Sequence, residues 1–150
     1  MGRVRLQPPP RIKILEALGA VAGNRVKIVD QHNCEVNASE GPRAYRVFLD
    51  LENGMASSDD NGTVFRNYVG YPIIAFMMAL GKLSYDEKIA APLKSIKWRS
   101  LNEQYKSYKT VETIVKQMLS RNGVDPSDVD KFVDRVLREL DDYILFKPTT

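Results

Sequence analysis

"AYRVFLDLENGMASSDDNGTVFRNYVGYPIIAFMMAL", residues Ala44 to Leu80, changes its hydrophobic period partway along, and that change decides the fold. Through Leu51 the apolar residues alternate, placing Tyr45, Val47, Leu49 and Leu51 on one face of a strand. Asn53-Gly54 follows at once. This dipeptide favours a two-residue hairpin, so "MASS" (55–58) is expected to pair back on the first strand. "TVFRNYV" reads as one more strand, after the turn Asp60-Asn61-Gly62. From Gly70-Tyr71-Pro72 the alternation stops, and proline suits the first turn of a helix. Ile73, Ile74, Phe76, Met77, Met78 and Leu80 then cover nearly the whole circumference of that helix, which predicts burial.

Towards the N-terminus, residues 1–9 read as a flexible arm. Pro10 opens a helix whose stripe is Ile14, Leu15, Leu18, Val21 and Ala22, and Gly23-Asn24 ends it. "RVKIVD" and "CEVNA" read as short strands and "SEGPR" as a turn. Towards the C-terminus, Ser84-x-x-Glu87 and Ser100-x-x-Glu103 have capping-box form. Trp98, Leu101, Tyr105 and Tyr108 recur at helical spacing as a core-facing stripe with a solvated basic rim. Val111, Ile114, Val115, Met118 and Leu119 form another stripe, which stops at Asn122-Gly123. Asp125-Pro126 opens the last helix, with Val129, Phe132, Val133, Val136, Leu137 and Leu140 inward. The expected class is α+β: an N-terminal helix, an antiparallel β-meander, a buried helix and several C-terminal amphipathic helices. Residues 10–150 form a single domain in this reading.

Hydrophobic residues make up 43% of the chain and charged residues 27%, which suits one domain with a core and argues against disorder. The formal net charge of +3 permits an anionic partner without demanding one. A single cysteine, Cys34, excludes an intrachain disulfide and suits a reducing compartment. The N-terminus lacks signal-peptide form, and the longest uncharged run, Asn67 to Gly81, is too short to span a bilayer. A soluble cytoplasmic protein without membrane association is the expectation.

Most familiar chemistry is missing. His32 is the only histidine; Cys34 stands two residues away, but no nucleophile elbow surrounds either. There is no GxGxxG, no Walker loop, no HExxH and no zinc-ligand set, so no cofactor is expected, and the sequence leaves open whether the protein is an enzyme. Ser57, Asp59, Asn61 and Gly62 fall on calcium-loop positions. The first position is Ser57 rather than Asp, and the closing position is Tyr68 rather than Glu, so a calcium site is rejected and no metal is expected.

Two candidate sites remain. At the strand-to-helix junction, Asp59, Asp60, Asn61, Arg66, Tyr68 and Tyr71 cluster where a small anionic or polar ligand could sit. The plainer reading pairs Arg66 with Asp59 or Asp60 and lets the tyrosines cap the core. Further on, Lys94, Lys97, Arg99, Lys106 and Lys109 interleave with Trp98 and Tyr105, a pattern that can hold phosphates and stack bases. The acidic stretch Asp125 to Asp142 could neutralise that segment, within the chain or across a homo-oligomer. The leading functional reading is a non-catalytic binding or interaction domain whose basic face meets nucleic acid or an acidic protein. The alternative is a small-ligand-binding protein or enzyme with its site at the Asp59–Tyr71 junction.

The "DNGT…GYPIIA" run, with "KSIKWRSLNEQYK" after it, resembles a small family of archaeal proteins of no assigned function. The resemblance covers under half the chain and carries no catalytic residues across. It implies a compact cytoplasmic protein of unknown role.

Overall fold

The alternating segments build a sheet and the apolar helix fills the space against it. The computed structural model describes residues 2–149. In chain order the elements are β1 (Arg3–Arg5), α1 (Ile12–Ala22), β2 (Val26–Ile28), β3 (Asn33–Asn37), β4 (Ala44–Asp50), β5 (Met55–Ser58), α2 (Asn61–Arg66), α3 (Tyr71–Ala79), α4 (Glu87–Ala90), a 3-10 segment (Ala91–Ser95), α5 (Trp98–Tyr105), α6 (Tyr108–Arg121), α7 (Pro126–Asp141) and β6 (Phe146–Pro148). The protein is α+β, with a mixed six-stranded sheet of order β1-β6-β5-β4-β3-β2.

β2 to β5 form the expected antiparallel meander, with Cys34 opposite Val47 and Leu49 opposite Ala56. Val36, Val47, Leu49 and Ala56 point inward and are buried, while Arg46 and Phe48 point to solvent. α3 lies on the inner face and α1 packs on α3. Pro72 to Met78 are all buried, and Phe76 is fully enclosed. α7 also follows its sequence pattern: Asp125 caps it by accepting from Ser127 N, and Val129, Phe132, Val133, Val136 and Leu140 are buried.

Five local expectations are corrected. Arg3–Arg5 is not a loose arm: it pairs antiparallel with β6, and Leu6 is buried beside it. β6 itself returns to the sheet from beyond the last helix and meets β5 in parallel, which makes the sheet mixed rather than a pure meander. "TVFRNYV" is not a strand. Thr63 to Arg66 belong to α2, because Asp60 caps the helix and Lys147 Nζ donates to the Thr63 and Val64 carbonyls at 2.6 and 2.8 Å. The β4–β5 turn is longer than two residues: Asp50 pairs with Met55, leaving Leu51 to Gly54 as the loop, and the Asp50 carboxylate holds Asn53. Neither serine capping box forms. Ser84 bonds Glu139, and Ser100 lies inside α5 and bonds Glu40.

The aromatic stripe of residues 98–108 is likewise broken. Lys106 takes a left-handed conformation at φ 52° and ends α5, so Tyr108 starts a new helix. Trp98 is buried, whereas Tyr105 and Tyr108 are exposed. No helix among the described residues is long and apolar enough to cross a membrane.

Candidate functional site

The junction between β5 and α3 is tied by a short chain of hydrogen bonds. Asp60 ends the sheet region in extended conformation and caps α2, its Oδ2 accepting from Thr63 N at 3.1 Å. Thr63 Oγ1 donates to Asp60 Oδ1 at 2.9 Å and accepts from Gly70 N at 3.1 Å, which places the start of α3. All three residues are buried. Glycine is required twice here. A Cβ on Gly70 would lie 2.2 Å from Asp60 Oδ2, and one on Gly62 would lie 2.3 Å from the Tyr68 ring. Asp59 faces the other way, accepting from Arg46 N on β4, while its carbonyl accepts from Arg43.

A cleft of about 470 Å³ opens beside this junction. Asp60, Asn61, Gly62, Tyr68 and Tyr71 form one wall. Trp98, Arg99, Asn102 and Glu103 of α5, with Tyr108 of α6, also line the cleft. The β3–β4 loop closes an end and also fixes α5, because Ser39 Oγ accepts from Trp98 N at 2.9 Å and Glu40 accepts from Ser100 N at 2.8 Å. Tyr45 and Tyr71 meet edge to face, with ring centres 5.8 Å apart.

The floor comes from α1. Lys13 Nζ lies 2.8 Å from Glu16 Oε2, and over the Tyr108 ring at 4.9 Å from its centre. Glu16 is only 3% exposed, and its Oε2 lacks a hydrogen bond of good geometry, so the pair is held by charge and proximity. Burial pushes the Glu16 carboxyl above its usual range, and Lys13 opposes that rise. Burial alone would lower the Lys13 ammonium, but the Glu16 charge more than offsets it and holds Lys13 protonated above its ordinary value. The pair is therefore under opposing pulls: Lys13 is held as an ammonium, while burial displaces Glu16 toward its protonated form. Burial also raises the Tyr45, Tyr68 and Tyr71 hydroxyls, and the Glu16 charge adds to each, so all three stay neutral donors around that carboxylate. A buried carboxyl with a displaced pKa, set among phenols in a cleft, makes this cleft the candidate site of the molecule.

The sequence candidates divide. Asp60, Asn61, Tyr68 and Tyr71 line the cleft; Arg66 lies in an adjoining hollow, and Asp59 is engaged with β4. Arg66 pairs with neither Asp59 nor Asp60, contrary to the plainer reading. Trp98 and Arg99 line the same cleft, although sequence assigned them to the basic segment. Lys94, Lys97, Tyr105 and Lys109 lie outside it on the surface, and Lys106 lines the adjoining hollow. The acidic helix does not cover this segment: Asp130 and Asp134 pair with Arg11, and Asp130 also pairs with Lys116. Sequence reading missed Lys13 and Glu16. The signal was available, since α1 ("IKILEALGAVA") is apolar almost all round and a charge within it has little solvent to reach.

Elsewhere the chemistry is quiet. His32 Nδ1 sits 2.8 Å from the Leu49 carbonyl, and burial pushes the Cys34 thiol up to about 12. No group of three or more His, Cys, Asp or Glu side chains suited to a metal occurs among the described residues.

The chain belongs to a family described as "Uncharacterised conserved protein UCP014422", whose model matches residues 6–145. That description names neither an activity nor an organism. Searches of curated proteins and of solved structures returned no match.

Proposed function

We propose that this protein binds a small polar molecule in the cleft between the β5–α3 junction and α5, as a binding protein or as an enzyme using the Glu16 carboxyl. One observation carries the reading: Glu16 is 3% exposed, lines a 470 Å³ cleft, and has Lys13, 2.8 Å from its Oε2, as its ion-pair partner. A buried carboxyl with a single ionic partner keeps acceptor capacity that a ligand's hydroxyl can use. Charges in the lining nearly balance, with Lys13, Arg43 and Arg99 against Glu16, Glu40, Asp60 and Glu103. Such a lining suits a compact ligand with few charges better than a polyanion. A raised carboxyl beside neutral phenols also has the properties acid–base catalysis needs.

The test is a thermal-shift screen of small polar metabolites, repeated on Glu16→Gln for each hit. A ligand at about a hundred times its Kd should stabilise the wild type by about 2.7 kcal/mol. The glutamine variant should lose that response. A panel with no hit, or hits undiminished in Glu16→Gln, refutes the reading.

A second reading rests on the acidic helix leaving the basic segment uncovered. Lys94, Lys97 and Lys109 are exposed and take no part in an ion pair among the described residues. In this reading the segment binds nucleic acid weakly and without sequence preference. With Arg99 and Lys106 the segment offers five cations, and five phosphate contacts imply a log–log salt slope of about −4.5 on duplex DNA. A low-salt mobility-shift assay checks it: Lys94→Glu with Lys97→Glu should weaken every sequence alike, and absence of any complex ends it. Both readings suit a reducing cytoplasm, in which the single Cys34 stays a thiol.

A further inference from the structure

The cleft continues past Tyr68 and Tyr108. A second hollow of about 620 Å³ adjoins it, sharing Tyr68, Asn102, Glu103 and Tyr108 with the first and adding Pro10, Arg66, Lys106 and Ser107. The two compartments adjoin through these four side chains and differ in the chemistry of their linings.

The first compartment calls for hydrogen-bond donors. Asn102 Oδ1 is buried without a donor where the two compartments meet, and Glu16 Oε2 has only the Lys13 ammonium beside it. A cationic head would compete with Lys13, already 2.8 Å from Glu16, and an anionic head would face Glu16 and Asp60 together. Neutral hydroxyl groups avoid both conflicts, and the phenols and Lys13 supply matching donors to their oxygens.

The second compartment calls for an anion. Arg66 and Lys106 take part in no ion pair among the described residues. The one carboxylate beside them, Glu103, lies 3.3 Å from Arg99 Nε. The left-handed Lys106 ends α5, and the fourteen-residue helix α6 follows at Tyr108, capped by Ser107. Ser107 satisfies Thr110 N with its side chain and Val111 N with its carbonyl, which leaves the amides of Tyr108 and Lys109 without an intrahelical acceptor. Two free cations and a helix start beside one compartment attract a phosphate.

We propose, resting on the cleft reading above, that the ligand is the phosphomonoester of a small polyhydroxylated molecule. Its hydroxyls lie toward Glu16 and Asn102, and its phosphate lies between Arg66, Lys106 and the start of α6.

Calorimetric titration of the full chain tests this with ribose 5-phosphate and adenosine 5′-monophosphate. Ribose, adenosine and inorganic phosphate serve as the compounds that lack one half. At least one ester should bind about tenfold or more tighter than its unphosphorylated counterpart. Arg66→Glu with Lys106→Glu, both at exposed positions, should remove that advantage while leaving the melting temperature of the free protein unchanged. Glu16→Gln should weaken the ester and its unphosphorylated counterpart alike. An ester no tighter than its counterpart, or unaffected by the double reversal, overturns the phosphate assignment. If the unphosphorylated compound still binds in a Glu16-dependent way, the cleft reading survives that loss. If nothing binds, the phosphomonoester proposal falls, and the metabolite screen decides the cleft reading separately.

Discussion

Replacing Thr63 by valine removes one hydroxyl and keeps the side chain's shape. That hydroxyl is 1% exposed in its residue and bridges two elements, donating to Asp60 Oδ1 at 2.9 Å and accepting from Gly70 N at 3.1 Å. Valine leaves both partners buried and unsatisfied. Each such group costs about 1–3 kcal/mol, with the charged carboxylate toward the upper end, so the pair should cost about 2–5 kcal/mol. Thr63→Ser keeps both bonds and loses one buried methyl, about 1 kcal/mol. Urea unfolding at constant m separates the two variants, and for a chain of this length each kcal/mol moves the melting temperature by about 2–4 °C. If Thr63→Val proves no costlier than Thr63→Ser, the bridge does not hold the start of α3 and the account of the junction is wrong.

Phe76→Ala should cost about 3–5 kcal/mol in the same assay, because Phe76 is fully enclosed in α3; a cost under about 1 kcal/mol would place that helix at a surface. The Cys34 thiol, 2% exposed and raised to about 12, should resist a disulfide reagent at mildly alkaline pH in the native state and react once the protein is unfolded; rapid native reaction contradicts its burial. Glu16 binds its proton more tightly folded than unfolded, so ionising it destabilises the fold. The stability of the wild type relative to Glu16→Gln should therefore fall as pH rises above the ordinary carboxylate range. A difference that grows with pH in denaturant melts would show that the carboxyl is not raised.

The elements legible in sequence were those whose own pattern decides them. α3 is apolar on every side, β4 alternates over seven residues, and α7 carries both its Asp-Pro start and a clean inward stripe. Elements set by distant partners were not legible. β1 and β6 have three residues each: β1 is set by its pairing with β6 across the chain, and β6 by β1 on one side and β5 on the other. Thr63, Val64 and Phe65 favour a strand on propensity, yet the Asp60 cap and the Lys147 ammonium hold them in a helix. Ser84 and Ser100 fit a local cap, but Glu139 and Glu40 take them instead. The junction residues Asp60, Asn61, Tyr68 and Tyr71 were identifiable as a cluster. Their counterpart on α5 could not be placed with them, because the serine and glutamate of the β3–β4 loop fix that helix through contacts roughly sixty residues apart in sequence. Glu16 was legible but passed over: its helix is apolar almost all round, which leaves the Lys13–Glu16 pair little solvent to reach.

Trp98 is the only tryptophan in the chain, is 3% exposed, and lines the cleft together with Tyr68 and Tyr71. Its emission therefore reports cleft occupancy directly. Fluorescence titration with a compound that raises the melting temperature should give a saturable change in Trp98 emission with the same Kd as calorimetry, and Glu16→Gln should abolish it. A compound that stabilises the protein while leaving Trp98 emission unchanged, and that binds Glu16→Gln equally well, would contradict the assignment of this cleft as the binding site.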